Sequence, residues 1–311
     1  MILTRPAPRL TTELLCLALL ATLWGSSYLF LKVAVTEIPP ITLIAVRVSI
    51  AAVFLMVVIT VRRTRLPRDP LTWRRLLVQS FFNSIGAWLL VAWGQQYVDS
   101  ALASVLNSTS PIFVFLMTVL FTRHESTSLI RLGGAMLGIL GVALIIGVDA
   151  LQGLGQQVAG QLAAVAGAVL YGVAAIYGQR RFGHLPAPVT AAGTMLWASA
   201  VLVPLSLLID QPWELRPSTQ AMAAAGMLGL FCTGIALLLY FRLLRTLGSL
   251  GTASQAYLRA GIGVGLGMIF LGETISLTVG FGLIAAILGV AMINLPPSLF
   301  ARPFFRRRRL P

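Results

Sequence analysis

The chain has 311 residues, of which 58% are hydrophobic and only 10% are charged, and its mean hydropathy is +0.90. A soluble domain usually carries about 25% charged residues, so this composition indicates a membrane protein and excludes a soluble enzyme or receptor domain. The net charge of +14 suits either nucleic-acid binding or a basic cytoplasmic face, and the position of the charges distinguishes the two.

Ten stretches of the chain are long and apolar enough to cross a bilayer, which takes about 20 residues of helix. The predicted spans lie at residues 13–35, 40–61, 74–97, 100–121, 127–148, 159–180, 187–209, 220–243, 248–270 and 275–295. The connections between them are short. The sequence therefore predicts an all-α polytopic membrane protein with ten transmembrane helices.

Basic residues concentrate on one side of this topology. Only Arg216 falls in a loop on the opposite side, and Lys32, Arg47 and Arg259 lie within spans, so 19 of the 23 Lys and Arg residues share one side. The positive-inside rule makes that side cytoplasmic. Both termini of this multi-pass protein are therefore predicted to lie in the cytoplasm. The positive charge then sets orientation in the lipid bilayer, and no nucleic-acid partner is predicted.

The chain repeats itself after about half its length. The dipeptide at Trp24 aligns with the dipeptide at Tyr171, and residues 124–145 align without gaps on residues 272–293 at an offset of 148. Each half is thus a five-helix unit, and an odd number of spans makes the second unit enter the membrane from the opposite side, as an inverted-topology repeat. The predicted division is a cytoplasmic tail (1–12), a first repeat (13–148), an extracytoplasmic linker (149–158), an inverted second repeat (159–295) and a basic cytoplasmic tail (296–311).

Several pieces of the two repeats resemble a known family. They are the WGS segment at Trp24, Arg47, the run SPIFVFLMTVLF from Ser110, Glu125, and the glycine-rich helix that follows it. These pieces resemble the EamA-type repeat of the drug/metabolite transporter superfamily, and within it the YddG-like amino-acid exporters. The resemblance implies ten helices and a bacterial exporter of amino acids or related small metabolites.

One position departs from the repeat pattern. Pro111 stands fourteen residues before Glu125, whereas Arg259 stands at the equivalent position before Glu273. The fourth and ninth helices are therefore expected to bend differently.

Polar and aromatic side chains inside the spans predict a wet, amphipathic cavity, because such groups are costly in lipid and tend to face water or another helix. The alternative for the amides among them is that they join helices by hydrogen bonds, and the sequence favours neither role. The candidate substrate-binding residues are Trp24, Tyr28, Gln79, Asn83, Asn107, Tyr171, Tyr240, Gln255 and Arg259.

The three cations within spans have different expected roles. Arg259 lies near the middle of its span and is the best candidate to bind a carboxylate, with pairing that ties helices together as an equal alternative. Arg47 lies nearer the outer face, where hydrogen bonds to backbone carbonyls are as well supported as substrate contact. Lys32 is expected to reach water at the end of its helix.

Helix breakers predict where the molecule bends. Gly261, Gly263 and Gly265 make the ninth helix easy to bend, and Pro111 is their candidate gating counterpart on the fourth. The run GIGVGLG has no preceding strand and no Lys-Ser/Thr, so it is not interpreted as a phosphate-binding loop. Gly263 and Gly267, like Gly134 and Gly138 on the fifth helix, are also predicted to allow close approach of helices.

The favoured function is transport by alternating access between the two halves. None of the nine Asp and Glu residues lies at mid-span, which favours a zwitterionic or anionic small molecule over a cationic drug as substrate. The sequence contains no HExxH motif, no paired intramembrane aspartates and no Ser/His/Asp set, so catalytic residues, metal ligands and cofactors are not predicted.

Other functions remain as alternatives. Within transport, the chain could carry nucleobases, sugars or drugs; outside it, a channel or a polytopic membrane enzyme is the rival. Proton-coupled, sodium-coupled and uncoupled transport all fit the sequence, as do a monomer and a homodimer.

Overall fold

The computed structural model describes residues 10–94, 97, 106–121, 129–146, 157–259, 261–262 and 277–295. Within these ranges every regular element is helical. The α-helices are α1 (Leu10–Val35), α2 (Pro40–Val61), α3 (Pro70–Ser80), α4 (Gly86–Gly94), α5 (Ser110–Phe121), α6 (Leu129–Ile146), α7 (Val158–Phe182), α8 (Ala187–Ile209), α9 (Thr219–Gly229), α10 (Ala236–Thr246), α11 (Gly248–Ala253) and α12 (Leu277–Asn294). The π-helical segments Phe81–Ile85 and Leu230–Ile235 join α3 to α4 and α9 to α10.

Six helices among the described residues are long and apolar enough to cross a membrane, and shorter apolar helices accompany them at Ser110–Val119 and Leu129–Ile145. Large apolar side chains on their outer surfaces, such as Val53, Leu140 and Ile284, are more than half exposed. Such a surface suits lipid rather than water. The multi-pass membrane class is therefore confirmed, and the count of ten spans stays a prediction.

Local chemistry sets several helix starts. Pro40 and Pro70 occupy first-turn positions of α2 and α3, where a missing N–H removes no hydrogen bond. The carboxylate of Asp69 accepts hydrogen bonds from Leu71 N at 3.2 Å and Thr72 N at 2.9 Å, which caps α3. The helix thus begins at Pro70, four residues before the predicted span.

The two halves of the chain pack through matched pairs of helices. Helix α2 packs on α8, and α6 packs on α12; these helices hold the same place in each half. Some of the remaining contacts also come in equivalent pairs: α1 on α9 and α10 is matched by α7 on α3 and α4, and α3 on α8 is matched by α9 on α2. The halves are therefore interleaved rather than placed side by side.

The contact between α6 and α12 depends on small residues. A Cβ atom added at Gly289 would lie 2.6 Å from the carbonyl oxygen of Gly134 and 2.7 Å from the amide nitrogen of Gly138. Both of those atoms belong to the backbone, which cannot move aside as a side chain can. The predicted close approach at Gly134 is present, and its partner is the equivalent helix of the other half. The same prediction for Gly263 and Gly267 falls outside the described residues.

Candidate functional site

A cavity of about 100 Å³ lies between the two halves, which is room for several waters. Its walls combine aromatic rings, primary amides, hydroxyls and two arginines with aliphatic side chains. The lining residues are Trp24, Ser27, Leu31, Ile44, Arg47, Asn83, Trp88, Val91, Asn107, Ser110, Val114, Tyr171, Ala175, Tyr240, Thr252, Ala253, Gln255 and Arg259.

The cavity brings together seven of the residues singled out from the sequence, contributed by six of the predicted spans. They are Trp24, Asn83, Asn107, Tyr171, Tyr240, Gln255 and Arg259. Tyr28 belongs to α1, and its side chain lies outside the described part of the structure.

Gln79 lies elsewhere. It is fully buried, and its Nε2 donates a hydrogen bond to the carbonyl oxygen of Ala174 on α7 at 3.2 Å. The amide lies against Gly178 of the same helix, where a Cβ would sit 3.2 Å from that Nε2. In this structure Gln79 therefore joins α3 to α7 and is not among the residues that line the cavity.

Arg47 enters the cavity wall from α2, although its sequence position did not distinguish substrate contact from backbone pairing. Its Nε donates to Thr233 Oγ1 at 2.6 Å, and one terminal nitrogen lies 3.4 Å from the carbonyl oxygen of Cys232. Its guanidinium carbon lies 4.1 Å from the centre of the Trp88 ring, within the range of a cation–π interaction. Because these partners are far apart in sequence, spacing alone could not reveal them.

The two π-helical segments occur in corresponding helices of the two halves. The first carries Asn83, whose Nδ2 donates to Ser84 Oγ at 3.1 Å. The second carries Thr233, the hydrogen-bond partner of Arg47. A π-helical turn inserts an extra residue into an α-helix and is often found at functional sites. The residue types of the two segments do not predict a π-helical turn.

Aromatic rings close part of the cavity. The rings of Trp24 on α1 and Tyr240 on α10 are tilted against each other with centres 5.4 Å apart, a distance at which aromatic rings are in contact. Tyr171 on α7 lines the cavity as well. These rings offer the apolar body of a small molecule a surface from both halves.

The candidate gating residues fall in two groups. Pro111 is the second residue of α5, a position where proline begins a helix rather than kinks it. A Cβ at Gly261 would lie 2.9 Å from Leu283 Cδ2 of α12, so this glycine permits a close helix contact. Gly263 and Gly265 lie outside the described residues.

The fourth and ninth helices are interrupted close to the same place but at different residues, Ser108 and Thr109 in the fourth and Ser254 in the ninth, and the expected difference in bending stays a prediction. Thr109 N donates to the carbonyl oxygen of Leu106 at 3.2 Å, and Tyr257 N donates to that of Ser254 at 3.1 Å. Both helices therefore share one tightened hydrogen bond, from a residue to the third residue before it, at equivalent positions. Pro111 is not required for it, because the second copy has no proline there.

In the part of the chain that the structure describes, no group of three or more His, Cys, Asp or Glu side chains is placed to hold a metal ion. The lining residues of the cavity are also free of carboxylates. What the site offers is hydrogen bonding, aromatic surface and positive charge.

Apolar helices packed around a cavity that both halves line define a multi-pass membrane protein with a central cavity. The chain belongs to the EamA-like transporter family, whose family model matches it twice, at residues 11–147 and 158–295. It is therefore a membrane transporter by family, and the resemblance to the EamA-type repeat is confirmed.

Relatives from two bacteria carry transporter names. YedA of Escherichia coli strain K12, named an uncharacterized inner membrane transporter, is 27% identical over 283 residues, covering 90% of each chain. YoaV of Bacillus subtilis strain 168, named an uncharacterized transporter, is 23% identical over 270 residues, which is 87% of this chain and 92% of YoaV. A solved crystal structure has the same fold, with a TM-score of 0.79 and 21% identity over 94% of this chain and 98% of that one.

Proposed function

We propose that this protein is a carrier that exports amino acids or related small metabolites across a bacterial inner membrane. It works by alternating access, with ten helices arranged as two inverted five-helix halves around the central cavity. The segments quoted from its sequence also resemble those of the YddG-like exporters. The inner-membrane location agrees with the name that YedA carries.

The observation that carries the proposal is the chemistry of the cavity wall. Two guanidinium groups, of Arg47 and Arg259, line it, and none of its lining residues is acidic. Guanidinium groups bind carboxylates strongly because their N–H donors match the carboxylate oxygens. The rings of Trp24, Tyr171 and Tyr240 supply apolar surface. A small carboxylate with an apolar body, such as an amino acid, fits both features.

The remaining parts of the proposal concern the surroundings of the site. The termini lie in the cytoplasm. Apart from its small-molecule substrate the protein interacts with the lipid bilayer, and nucleic acid is not a partner. The lining contains both halves of one chain, so a monomer suffices for transport, and a homodimer is compatible with it.

Counterflow tests this function directly. Purified protein in liposomes preloaded with unlabelled amino acids should take up the radiolabelled amino acid saturably, with and without an imposed pH gradient. We expect Arg259→Ala to abolish saturable counterflow because the carboxylate loses its partner. Arg216→Ala, in a loop outside the predicted spans, is the matched control and should retain it. Wild-type uptake no greater than that of empty liposomes, with folded protein, would contradict the substrate and direct the search to nucleobases and sugars.

A further inference from the structure

The tightened turns of the fourth and ninth predicted helices hold equivalent amides. Asn107 lies between Leu106 and Thr109, and the backbone N–H of Thr109 donates a hydrogen bond to the carbonyl oxygen of Leu106. Gln255 lies between Ser254 and Tyr257, whose backbone groups form the equivalent hydrogen bond. The two amides are separated by 148 residues, the offset of the sequence repeat. The molecule thus presents one amide from each half at the same structural position.

Both amides line the central cavity, and both are buried, with exposures of 4% for Asn107 and 6% for Gln255. The side-chain oxygens Oδ1 of Asn107 and Oε1 of Gln255 have no hydrogen-bond partner. Buried polar atoms in native proteins are nearly always paired, and each exception calls for an explanation. One unpaired buried oxygen is readily explained as a local defect. Unpaired amide oxygens at equivalent positions of both halves instead indicate that both halves need a hydrogen-bond donor there.

An amide oxygen only accepts hydrogen bonds. The missing partner must therefore be a donor, and it must reach the cavity wall between two broken helices. Interrupted helices near the middle of a transporter are places where ligands are held by unsatisfied polar groups. The arginines of the same cavity are donors, so they serve a different part of the ligand.

We propose that Asn107 and Gln255 form a pair of acceptors for the ammonium group of a zwitterionic substrate. Gln255 and Arg259 lie one helical turn apart, on the same face of the chain, so a carboxylate at Arg259 leaves an adjacent ammonium within reach of the amides. This assignment depends on the proposed function, in which the cavity binds small zwitterions. It adds the reason why such a site would prefer an amino acid to the same acid without its amine.

Three probes with the same branched apolar body separate the two ends of the ligand. They are leucine, 4-methylpentanoate, which lacks the ammonium, and 3-methylbutylamine, which lacks the carboxylate. Binding to purified protein in lipid nanodiscs can be followed by tryptophan fluorescence, since Trp24 and Trp88 line the cavity.

Removing either acceptor should weaken only the probes that carry an ammonium. We expect Asn107→Leu and Gln255→Met each to weaken leucine binding about tenfold or more, the usual size for loss of a hydrogen bond to a charged group, and to change 4-methylpentanoate binding less than about twofold. Asn107→Asp should strengthen binding of 3-methylbutylamine, because it places a negative charge at the same position. Ser199→Ala is the matched control: Ser199 Oγ is also buried without a partner, but it is not among the cavity-lining residues.

Each other outcome decides against part of the assignment. An equal loss of binding of all three probes in Asn107→Leu and Gln255→Met would mean that the amides only hold the helices together. Equal wild-type affinity for leucine and 4-methylpentanoate would mean that the ammonium group is not recognised. Either result overturns the pair of acceptors and leaves the proposed function intact. Binding of 3-methylbutylamine that needs both amides, without binding of leucine, would keep the pair and overturn amino-acid transport. Absence of binding by all three probes to folded wild type overturns both.

Discussion

Arg47 connects three parts of the molecule that are far apart in sequence. It reaches from α2 to Thr233 in the second π-helical segment and lies over the Trp88 ring of α4. Its side chain is 9% exposed, so the charge is held by these contacts more than by bulk water. The residue therefore supports the cavity wall as well as lending it positive charge.

The contact between Arg47 and Thr233 should appear as a coupling energy. Arg47→Lys keeps the charge but loses the Nε donor, and Thr233→Val removes the acceptor while keeping the shape. We expect each single change to lower stability by about 1–3 kcal/mol, and the double change to cost less than the sum. Thermal unfolding of the four proteins in nanodiscs measures this cycle, and strictly additive effects would show that the hydrogen bond contributes little.

Gln79 and Asn83 illustrate what spacing alone misses. Both were predicted to bind substrate, and two residues four apart on a regular helix share a face. The π-helical segment that begins at Phe81 adds a residue to the turn between them and alters that alignment. Asn83 consequently lines the cavity, whereas Gln79 bonds α7. By contrast, Trp24 and Tyr171 were found from the repeat, because their local helices are regular.

At the level of elements, the glycines of α12 serve different purposes. Gly289 lies against the backbone of α6, whereas a Cβ added at Gly280 would meet no atom within 4 Å. The sequence pattern identifies both simply as small residues in an apolar helix. The two glycines differ only in what they pack against, which the structure shows and the sequence does not.

Alanine substitution should separate these two glycines. Gly289→Ala places a methyl group against fixed backbone atoms and should lower stability by about 1–3 kcal/mol. Gly280→Ala should be neutral or stabilising by up to about 1 kcal/mol, since alanine favours the helix. Thermal midpoints of the two variants in one detergent measure the contrast, and similar midpoints would argue against close packing of α6 on α12.

A carboxylate in the connection between α1 and α2 ties the first half to the second. Glu37 accepts hydrogen bonds from Ser218 N at 2.6 Å and Ser218 Oγ at 2.8 Å, and Ser218 is the N-cap of α9. The backbone and side-chain hydrogen bonds from Ser218 hold the pKa of Glu37 below its ordinary value of 4.5.

This tie should depend on pH in a defined direction. Because the folded state lowers the pKa of Glu37, its stabilising contribution is fully present above about pH 4.5 and is lost as the pH falls through the lowered pKa. Glu37→Gln should therefore be less stable than wild type at neutral pH and equal to it in strong acid. Thermal midpoints of both proteins across that pH range test this. A difference that persists unchanged into strong acid would show that ionisation of Glu37 is not responsible.

At the level of the whole molecule, the sequence was informative about class and repeat and silent about how the halves meet. Hydropathy and the offset of 148 residues sufficed for apolar helices in two copies, because both are local properties. The pairing of α2 with α8 and of α6 with α12 depends on which faces complement each other. That information is spread over residues distant in the chain, such as Gly134 and Gly289.

The matched pairing of helices has a consequence for what counts as a subunit. When a helix contacts its own equivalent, as α2 does α8 and α6 does α12, the pattern is that of an isologous interface between two copies of one protein. A half-length chain of this fold would leave the inner faces of α2 and α6 uncovered and would own only half of the cavity. The contacts of α2 with α8 and of α6 with α12 therefore resemble those between two subunits of a homodimer, although they lie within one polypeptide.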